Sequence, residues 1–238
     1  MKILAIDTST EACSAAISIN GDCIERFEIA RQRHTELILP MIESLMNEAG
    51  FNSAAAFDVL AFGCGPGSFT GIRIGTGVVQ GIALGAGLSV APVSSLAAIA
   101  QGASREQGHK NVLAGIDARM QEIYWGQYQL DSHGFMQTSQ LEVVGKPDEL
   151  PLPEKVDQGW HGAGSAWAAY EPALSGICHD LVSSSDGTRL PHAMDIAHLA
   201  LDVIAKGKLV TAEHIEPVYL RNEVAWKKTA ATDAGKKE

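Results

Sequence analysis

The chain has 238 residues, of which 46% are hydrophobic and 19% charged, and its formal net charge is −10. This length and composition predict a globular chain with a substantial core and argue against a disordered one. The acidic balance argues against nonspecific nucleic-acid binding by the chain alone, because phosphate contacts need clustered Lys and Arg, so a role on RNA would need a basic partner.

The cysteines and the apolar runs indicate in which cellular compartment the protein is expected. None of Cys13, Cys23, Cys64 and Cys178 has CxxC spacing, and the chain opens on a strand-like run rather than a signal-peptide pattern. Glycines and Arg73 interrupt the longest apolar run, so no membrane span is predicted. These features predict a protein of the reducing cytoplasm.

The first predicted elements are a strand and a β-hairpin. Residues 2–6 form a short apolar run, and residues 12–19 and 23–30 are strand-like. Asn20 and Gly21, between the last two runs, give the strongest short-range hairpin signal. The amino-terminal part is therefore predicted to be β-structure.

A helix is predicted over residues 35–49. Thr35 is expected to cap it, Pro40 to lie in its first turn, and Gly50 to end it. Its apolar side chains wrap more than half of the helix, which is more than one sheet face can cover. Part of this surface is therefore expected to meet a partner.

The stretch at residues 63–85, GCGPGSFTGIRIGTGVVQGIALG, is the one around which the chain is organised. It holds eight glycines, no acid and one base, and it follows a buried strand predicted at residues 58–62. An apolar helical pattern begins after Thr70, so the glycines mark a strand-to-helix turn. Four helical glycines are predicted to share one shallow face that another element approaches closely: Gly71, Gly75, Gly81 and Gly85.

Two phosphate-binding motifs can be tested on this turn. A P-loop ends in Gly-Lys-Ser/Thr, and no lysine occurs between Lys2 and Lys110. Gly65, Gly67 and Gly71 give GxGxxxG rather than the dinucleotide fingerprint GxGxxG, and no acid follows to bind a ribose. What remains is an anion site of backbone N–H groups at a helix amino terminus, a geometry that also occurs empty.

The second half of the chain looks like a shorter copy of the first. The segment NVLAGID at residues 111–117 resembles KILAID at residues 2–7, since both are apolar strands closed by an aspartate. The strand and hairpin pattern then recurs, with strands predicted at residues 122–130 and 135–144. The polar connector at residues 104–110 is predicted to separate the two copies.

Two helices and a tail complete the predicted organisation. Helices are predicted at residues 94–103 and 191–206, each as the last helix of its copy. The predicted division is an amino-terminal lobe at residues 1–104 and a smaller lobe at 111–221. Residues 222–238 are expected to form a flexible tail.

The order strand, hairpin, helix, strand, helix, with a shortened repeat, is that of the actin, sugar-kinase and Hsp70 ATPase superfamily. The predicted fold class is therefore α/β, with actin-like (ribonuclease H-like) duplicated lobes and a reduced second lobe. The stretches IDTST, GPGSFTGIRIG, PVSSLAAIA and IDARMQEIYW carry a closer resemblance. They resemble the TsaB (YeaZ) family of bacterial tRNA threonylcarbamoyladenosine biosynthesis proteins, densely over residues 1–127 and more thinly as far as 217–221.

This resemblance implies a noncatalytic subunit that binds and activates TsaD, together with the ATPase TsaE. TsaD transfers threonylcarbamoyl from threonylcarbamoyl-AMP to the N6 of the adenosine beside the anticodon. The apolar surplus of the helix at residues 35–49 predicts that the free chain forms a homodimer through the surface that meets TsaD, and contact with tRNA is expected only through the complex. The alternative is a stand-alone ATP-dependent kinase or acyl transferase that acts through Asp7 and the glycine turn, which the reduced second lobe disfavours.

The expected metal content follows from a departure from TsaD. TsaD carries a histidine pair, HxxxH, that holds a metal after its glycine helix, whereas this chain reads VSSLAA at residues 93–98. Serine hydroxyls are poor substitutes for imidazoles as ligands of a transition metal. The eight histidines of the chain are scattered, so no metal site is predicted.

A residual nucleotide pocket is the predicted cofactor site, although no cofactor is expected to be required. It would bind ATP or ADP weakly, or at the interface with a partner. An equal alternative is that Asp7 only caps the end of its strand by bonding to nearby backbone. The residues assigned to the pocket are Asp7, Thr8, Ser9, Gly65, Gly67 and Ser68.

The resemblance also supplies the docking surface for TsaD. It would use the predicted helices at residues 35–49 and 70–84, whose apolar positions exceed what one sheet face can cover. The predicted interface residues are Leu39, Met41, Leu45, Ile72, Val79 and Ala83.

Overall fold

The computed structural model describes residues 1–138 and 140–221. Two β-sheets, each covered by helices, form the cores of two lobes. This architecture agrees with the predicted α/β class. Within the described residues, no helix combines the length and the apolar character needed to cross a membrane.

The first lobe is built on a five-stranded sheet. Its strands and helices are β1 Lys2–Asp7, β2 Ala12–Ile19, β3 Asp22–Ile29, α1 His34–Glu48, β4 Val59–Gly65, α2 Phe69–Ala86 and β5 Ser89–Ser94. The strand order is β3-β2-β1-β4-β5, with β1, β2 and β3 antiparallel and β1, β4 and β5 parallel. Asn20 and Gly21 turn the hairpin with φ values of 53° and 101°, which confirms the predicted hairpin.

Helix α1 differs in detail from its prediction. It begins at His34 after Arg33, and no side chain caps it, so Thr35 lies inside the helix rather than at its cap. Pro40 lies in the second turn, not the first. It is tolerated because it sits on the exposed side, where water can solvate the carbonyl that loses its N–H partner.

The second lobe is built on a six-stranded sheet. Its elements are α3 Ser95–Gln107, β6 Asn111–Asp117, β7 Ile123–Leu130, β8 Met136–Gln137, β9 Val143–Gly145, β10 Trp160–Ala163, α4 Ala166–Ala169, α5 Glu171–Ile177, β11 Val182–Asp186 and α6 Ala193–Ala205. The order is β11-β10-β6-β7-β8, and β9 also pairs with β7. The strand predicted at residues 135–144 is thus two short strands, β8 and β9.

The two lobes exchange their last helices. Leu96 and Ile99 of α3 lie in one core cluster with Val112 and Tyr128 of the second sheet. Conversely, α6 packs on the first sheet, on the face opposite α1 and α2. The predicted division into residues 1–104 and 111–221 follows the chain order but not the packing, because each sheet is completed by a helix from the other side of that boundary. The tail predicted at 222–238 lies outside the described residues.

Candidate functional site

The glycine turn packs directly against the turn between β1 and β2. Ser68 caps α2 by accepting a hydrogen bond from the Gly71 N–H at 3.3 Å, and its own N–H donates to the Ser9 carbonyl at 2.7 Å. A Cβ on Gly67 would lie 2.2 Å from the Ser9 oxygen, and one on Gly71 would lie 2.0 Å from the Thr8 oxygen. Glycine is required here because backbone meets backbone with no room for a side chain.

The glycines of α2 do not share one face. Gly75 also packs against Thr8, where a Cβ would lie 2.6 Å from the hydroxyl oxygen, but Gly77, Gly81 and Gly85 have open space. The prediction that Gly81 and Gly85 lie on the packed face is therefore wrong. Ten residues separate Gly71 from Gly81, which places them about 80° apart around the helix axis.

Asp7 is the buried end of β1. Its carboxylate accepts hydrogen bonds from the N–H and the hydroxyl of Ser9, both at 3.0 Å. Gly63 leaves room for it, since a Cβ there would lie 1.8 Å from Asp7 Oδ2. Burial raises the pKa of Asp7 to about 7. These hydrogen bonds fit the alternative in which Asp7 caps the end of its strand.

A carboxy-terminal segment, residues 215–221, crosses the glycine turn, and we call it the C-terminal strap. The Val218 N–H donates to the Cys64 carbonyl at 2.7 Å, and the Val218 oxygen would lie 2.8 Å from a Cβ on Gly65. The Tyr219 hydroxyl accepts a hydrogen bond from Arg73 Nε at 2.9 Å. The strap thus covers Gly65, at the beginning of the glycine turn.

The end of the strap reaches the second lobe. Arg221 forms an ion pair with Glu122 and donates to the Ala118 carbonyl at 3.2 Å, at the turn between β6 and β7. In this turn Arg119, Met120 and Gln121 all have positive φ. Such a left-handed run of non-glycine residues is strained, and Arg221 is one of the contacts that hold it.

A cleft of about 1290 Å³ separates the two lobes. Of the six predicted nucleotide residues, Ser9, Gly67 and Ser68 line the cleft, whereas Asp7, Thr8 and Gly65 do not. The charged side chains along it are Glu11, Arg31, Asp117, Arg119 and Arg221. Sequence reasoning missed the arginines of this lining because they come from three distant loops, and no local motif connects them.

The cleft offers little for catalysis or metal binding. Asp7 is enclosed, and the Ser68 hydroxyl and N–H are both used within the fold. Among residues 1–138 and 140–221, no three His, Cys, Asp or Glu side chains converge as metal ligands. The arrangement can hold a polar or anionic group through its arginines.

The predicted docking surface needs correction. Five of its six residues are buried within this chain: Met41, Leu45, Ile72, Val79 and Ala83. Four of them fill the core between α1, α2 and the first sheet, and only Leu39, which is 54% exposed, can reach a partner. The surplus of apolar positions arose because α1 contacts both the sheet and α2. The exposed side of α2 carries other residues, including Phe69, Arg73 and Leu84.

Comparisons with known proteins identify the family. Over 229 residues the chain is 46% identical to the tRNA threonylcarbamoyladenosine biosynthesis protein TsaB of Escherichia coli K12. The aligned region covers 96% of this chain and 98% of that protein. The chain belongs to the TsaB family. TsaB of Haemophilus influenzae is 40% identical over 235 residues, 96% of this chain and 97% of the relative.

Family-model and structural matches agree with this TsaB assignment. Residues 27–232 match the family model described as TsaD: tRNA N6-adenosine threonylcarbamoyltransferase. The solved structure of YeaZ from Pseudomonas aeruginosa superposes with a TM-score of 0.86 and 43% identity, covering 92% of this chain and 99% of that one. Both the resemblance to TsaB and the predicted actin-like fold class are confirmed.

Proposed function

We propose that this chain is a noncatalytic subunit in tRNA threonylcarbamoyladenosine biosynthesis. It docks onto a TsaD-like threonylcarbamoyltransferase and activates it, in an assembly that also includes the ATPase TsaE. The transferase moves threonylcarbamoyl from threonylcarbamoyl-AMP to N6 of the adenosine beside the anticodon, and tRNA contacts this chain only through the complex. The names of the relatives and the match to the TsaD family model support this role.

The noncatalytic part of the proposal is supported by how the glycine turn is used. In an actin-like kinase this turn would have to bind phosphate, but here Ser9 and the C-terminal strap are packed against it. A phosphate at Gly65 would need to displace Val218, whose N–H donates to the Cys64 carbonyl and whose oxygen covers Gly65. The stand-alone kinase or acyl transferase is therefore the weaker alternative.

The exposed side of α2 is the observation that carries the docking proposal. Phe69, Arg73, Gly77, Gly81 and Leu84 follow one another at three- and four-residue spacing on this side. Phe69 is 53% and Leu84 69% exposed, and the two glycines leave open space for a partner helix to approach closely. A related chain with the same fold could present a similar helix, so a second copy of this protein and TsaD would compete for one surface.

A single charge at the carboxy-terminal end of this surface tests the proposal. We expect Leu84→Asp to abolish both TsaD binding and self-association, measured by pull-down and light scattering, because the carboxylate would be desolvated in the contact. Leu141→Asp is the matched control, since Leu141 is 90% exposed in the second lobe. Modified adenosine in a reconstituted mixture should fall together with binding. A folded Leu84→Asp variant that binds TsaD like the wild type would contradict the proposed site.

Nucleotide titration separates this role from the stand-alone enzyme. We propose that ATP or ADP binds the arginine-lined cleft of the free chain weakly, or binds it only together with the partner. Isothermal titration of the purified chain with Mg-ATP should therefore show no turnover. Micromolar binding accompanied by turnover would favour the kinase or acyl transferase instead.

A further inference from the structure

Arg73 is held in a fixed position on the exposed side of α2. Its Nε donates to the Tyr219 hydroxyl at 2.9 Å, and its guanidinium carbon lies 3.7 Å from the centre of the Phe69 ring. The centre of the Tyr219 ring lies 5.8 Å from the same carbon. These three contacts fix the orientation of the Arg73 side chain before a partner binds. Binding therefore costs less conformational entropy than it would for a freely rotating arginine.

The charge of Arg73 is not used inside the described part of the chain. Six of the eight arginines form ion pairs with carboxylates there, and Arg31 and Arg73 are the two that do not. No Asp or Glu occurs anywhere from residue 59 to residue 104, so α2 carries a single positive charge and no acid. A held, uncompensated guanidinium on a chain of net charge −10 points to a ligand of opposite sign.

The geometry of the guanidinium defines that ligand. Because Nε is bonded to Tyr219, the two Nη groups are the donors left for a partner. Two parallel N–H donors match the two oxygens of a carboxylate. The Phe69 and Tyr219 rings reduce the hydration of the guanidinium, which would otherwise weaken an ion pair with that carboxylate. A polyanion such as RNA is bound by several Lys or Arg side chains together. Arg73 is the single Lys or Arg of α2.

We propose that Arg73 is the receptor for one Asp or Glu side chain on the subunit that docks on α2, and that the C-terminal strap prepares it through Tyr219. This inference rests on the proposed function, because it names the polar anchor of the same surface. Arg73 lies one turn from Phe69 and one turn from Gly77, so the carboxylate would enter where the partner backbone can come closest. The pair would fix the register of two otherwise apolar surfaces.

The test measures the affinity of the full chain for the TsaD-like subunit at several salt concentrations. We expect Arg73→Gln to weaken binding at least tenfold and to reduce its salt dependence. Arg73→Lys should recover little, because an ammonium group cannot offer two parallel donors or keep the Tyr219 contact. Tyr219→Phe should weaken binding less, about threefold, because the charge remains but its orientation is lost. Lys155→Gln, which removes an exposed positive charge of the second lobe outside both α2 and the cleft, should bind like the wild type.

A charge exchange identifies the carboxylate. Arg73→Glu should abolish binding, and one Asp→Arg or Glu→Arg change on the partner should restore it. If the wild type binds and Arg73→Gln binds equally well, the carboxylate receptor is overturned while the docking proposal stands. If Arg73→Gln lowers affinity for tRNA but not for the partner, the ligand is phosphate and the inference is likewise wrong. If the wild type does not bind the partner at all, the proposed function fails, and this inference fails with it.

Discussion

The carboxylate of Asp195 accepts hydrogen bonds from Nε and Nη2 of Arg105, at 2.8 and 3.0 Å. The pair joins α3 to α6, the two helices that the lobes exchange. Asp195 is 1% exposed, and burial raises its pKa although the guanidinium opposes this shift. The contact therefore holds the two lobes together through a desolvated charge.

Removing Arg105 should be costly because it leaves that charge alone. We expect Arg105→Met to lower the free energy of unfolding by about 3 to 5 kcal/mol. Lys206→Ala is the matched control, because Lys206 pairs with Asp202 at 2.7 Å on the exposed surface, and its loss should cost less than about 1 kcal/mol. Urea denaturation measures both. Equal effects of the two substitutions would show that the Asp195 pair has no special weight.

Two glycines of α2 should respond to alanine in opposite directions. Gly81→Ala should stabilise the monomer, at concentrations too low for self-association, by up to about 1 kcal/mol, because its Cβ would meet open space and alanine favours the helix. Gly71→Ala should destabilise it, because the Cβ would lie 2.0 Å from the Thr8 carbonyl oxygen and force the turn apart. Thermal unfolding distinguishes the two outcomes. A loss of stability in Gly81→Ala would mean that this side of the helix is covered.

The buried carboxyl of Asp7 should make stability depend on pH. Its pKa is raised from 3.8 to about 7 by burial, so the folded state binds the proton more tightly than the unfolded state. Stability from this group should therefore fall as the pH rises from about 4 to about 7, by about 4 kcal/mol in all. Asp7→Asn cannot ionise, and its unfolding free energy should lack this component. Parallel pH profiles for the two proteins would refute the assignment.

Metal content remains a prediction of the sequence. Because residues 93–98 read VSSLAA where TsaD has HxxxH, protein purified without a histidine tag should contain substoichiometric zinc and iron. Elemental analysis after extensive dialysis measures this. One tightly held equivalent per chain would refute the prediction.

Local signals in the sequence predicted the elements well, since each depends on neighbouring residues. Asn20 and Gly21 placed the hairpin, and the glycine run placed the turn before α2. It was harder to predict what covers each face of a helix. A broad apolar stripe packs on the sheet along one part, but it does not show whether the rest contacts a partner or a neighbouring helix. Leu45 and Val79 were therefore assigned to an interface although both lie in the core.

Long-range contacts could not be predicted from these signals. Arg221 and Glu122 are 99 positions apart, and neither has a motif that indicates the other. The same limit applies to the cleft, whose arginines come from separate loops, and to the exchange of α3 and α6 between sheets. In each case the contact depends on how the lobes pack. The spacing of hydrophobic residues along the sequence carries no information about that packing.

The exchange of helices has a consequence for synthesis on the ribosome. The first sheet is complete once β5 has emerged, but the face opposite α1 and α2 stays uncovered until α6 follows, about a hundred residues later. At translation rates of about 5 to 20 residues per second, Ile3, Ala61 and Val93 wait roughly 5 to 20 s for the helix that buries them. Neither half of the chain can complete its fold first, so the nascent chain reaches its native structure only after α6 has been synthesised.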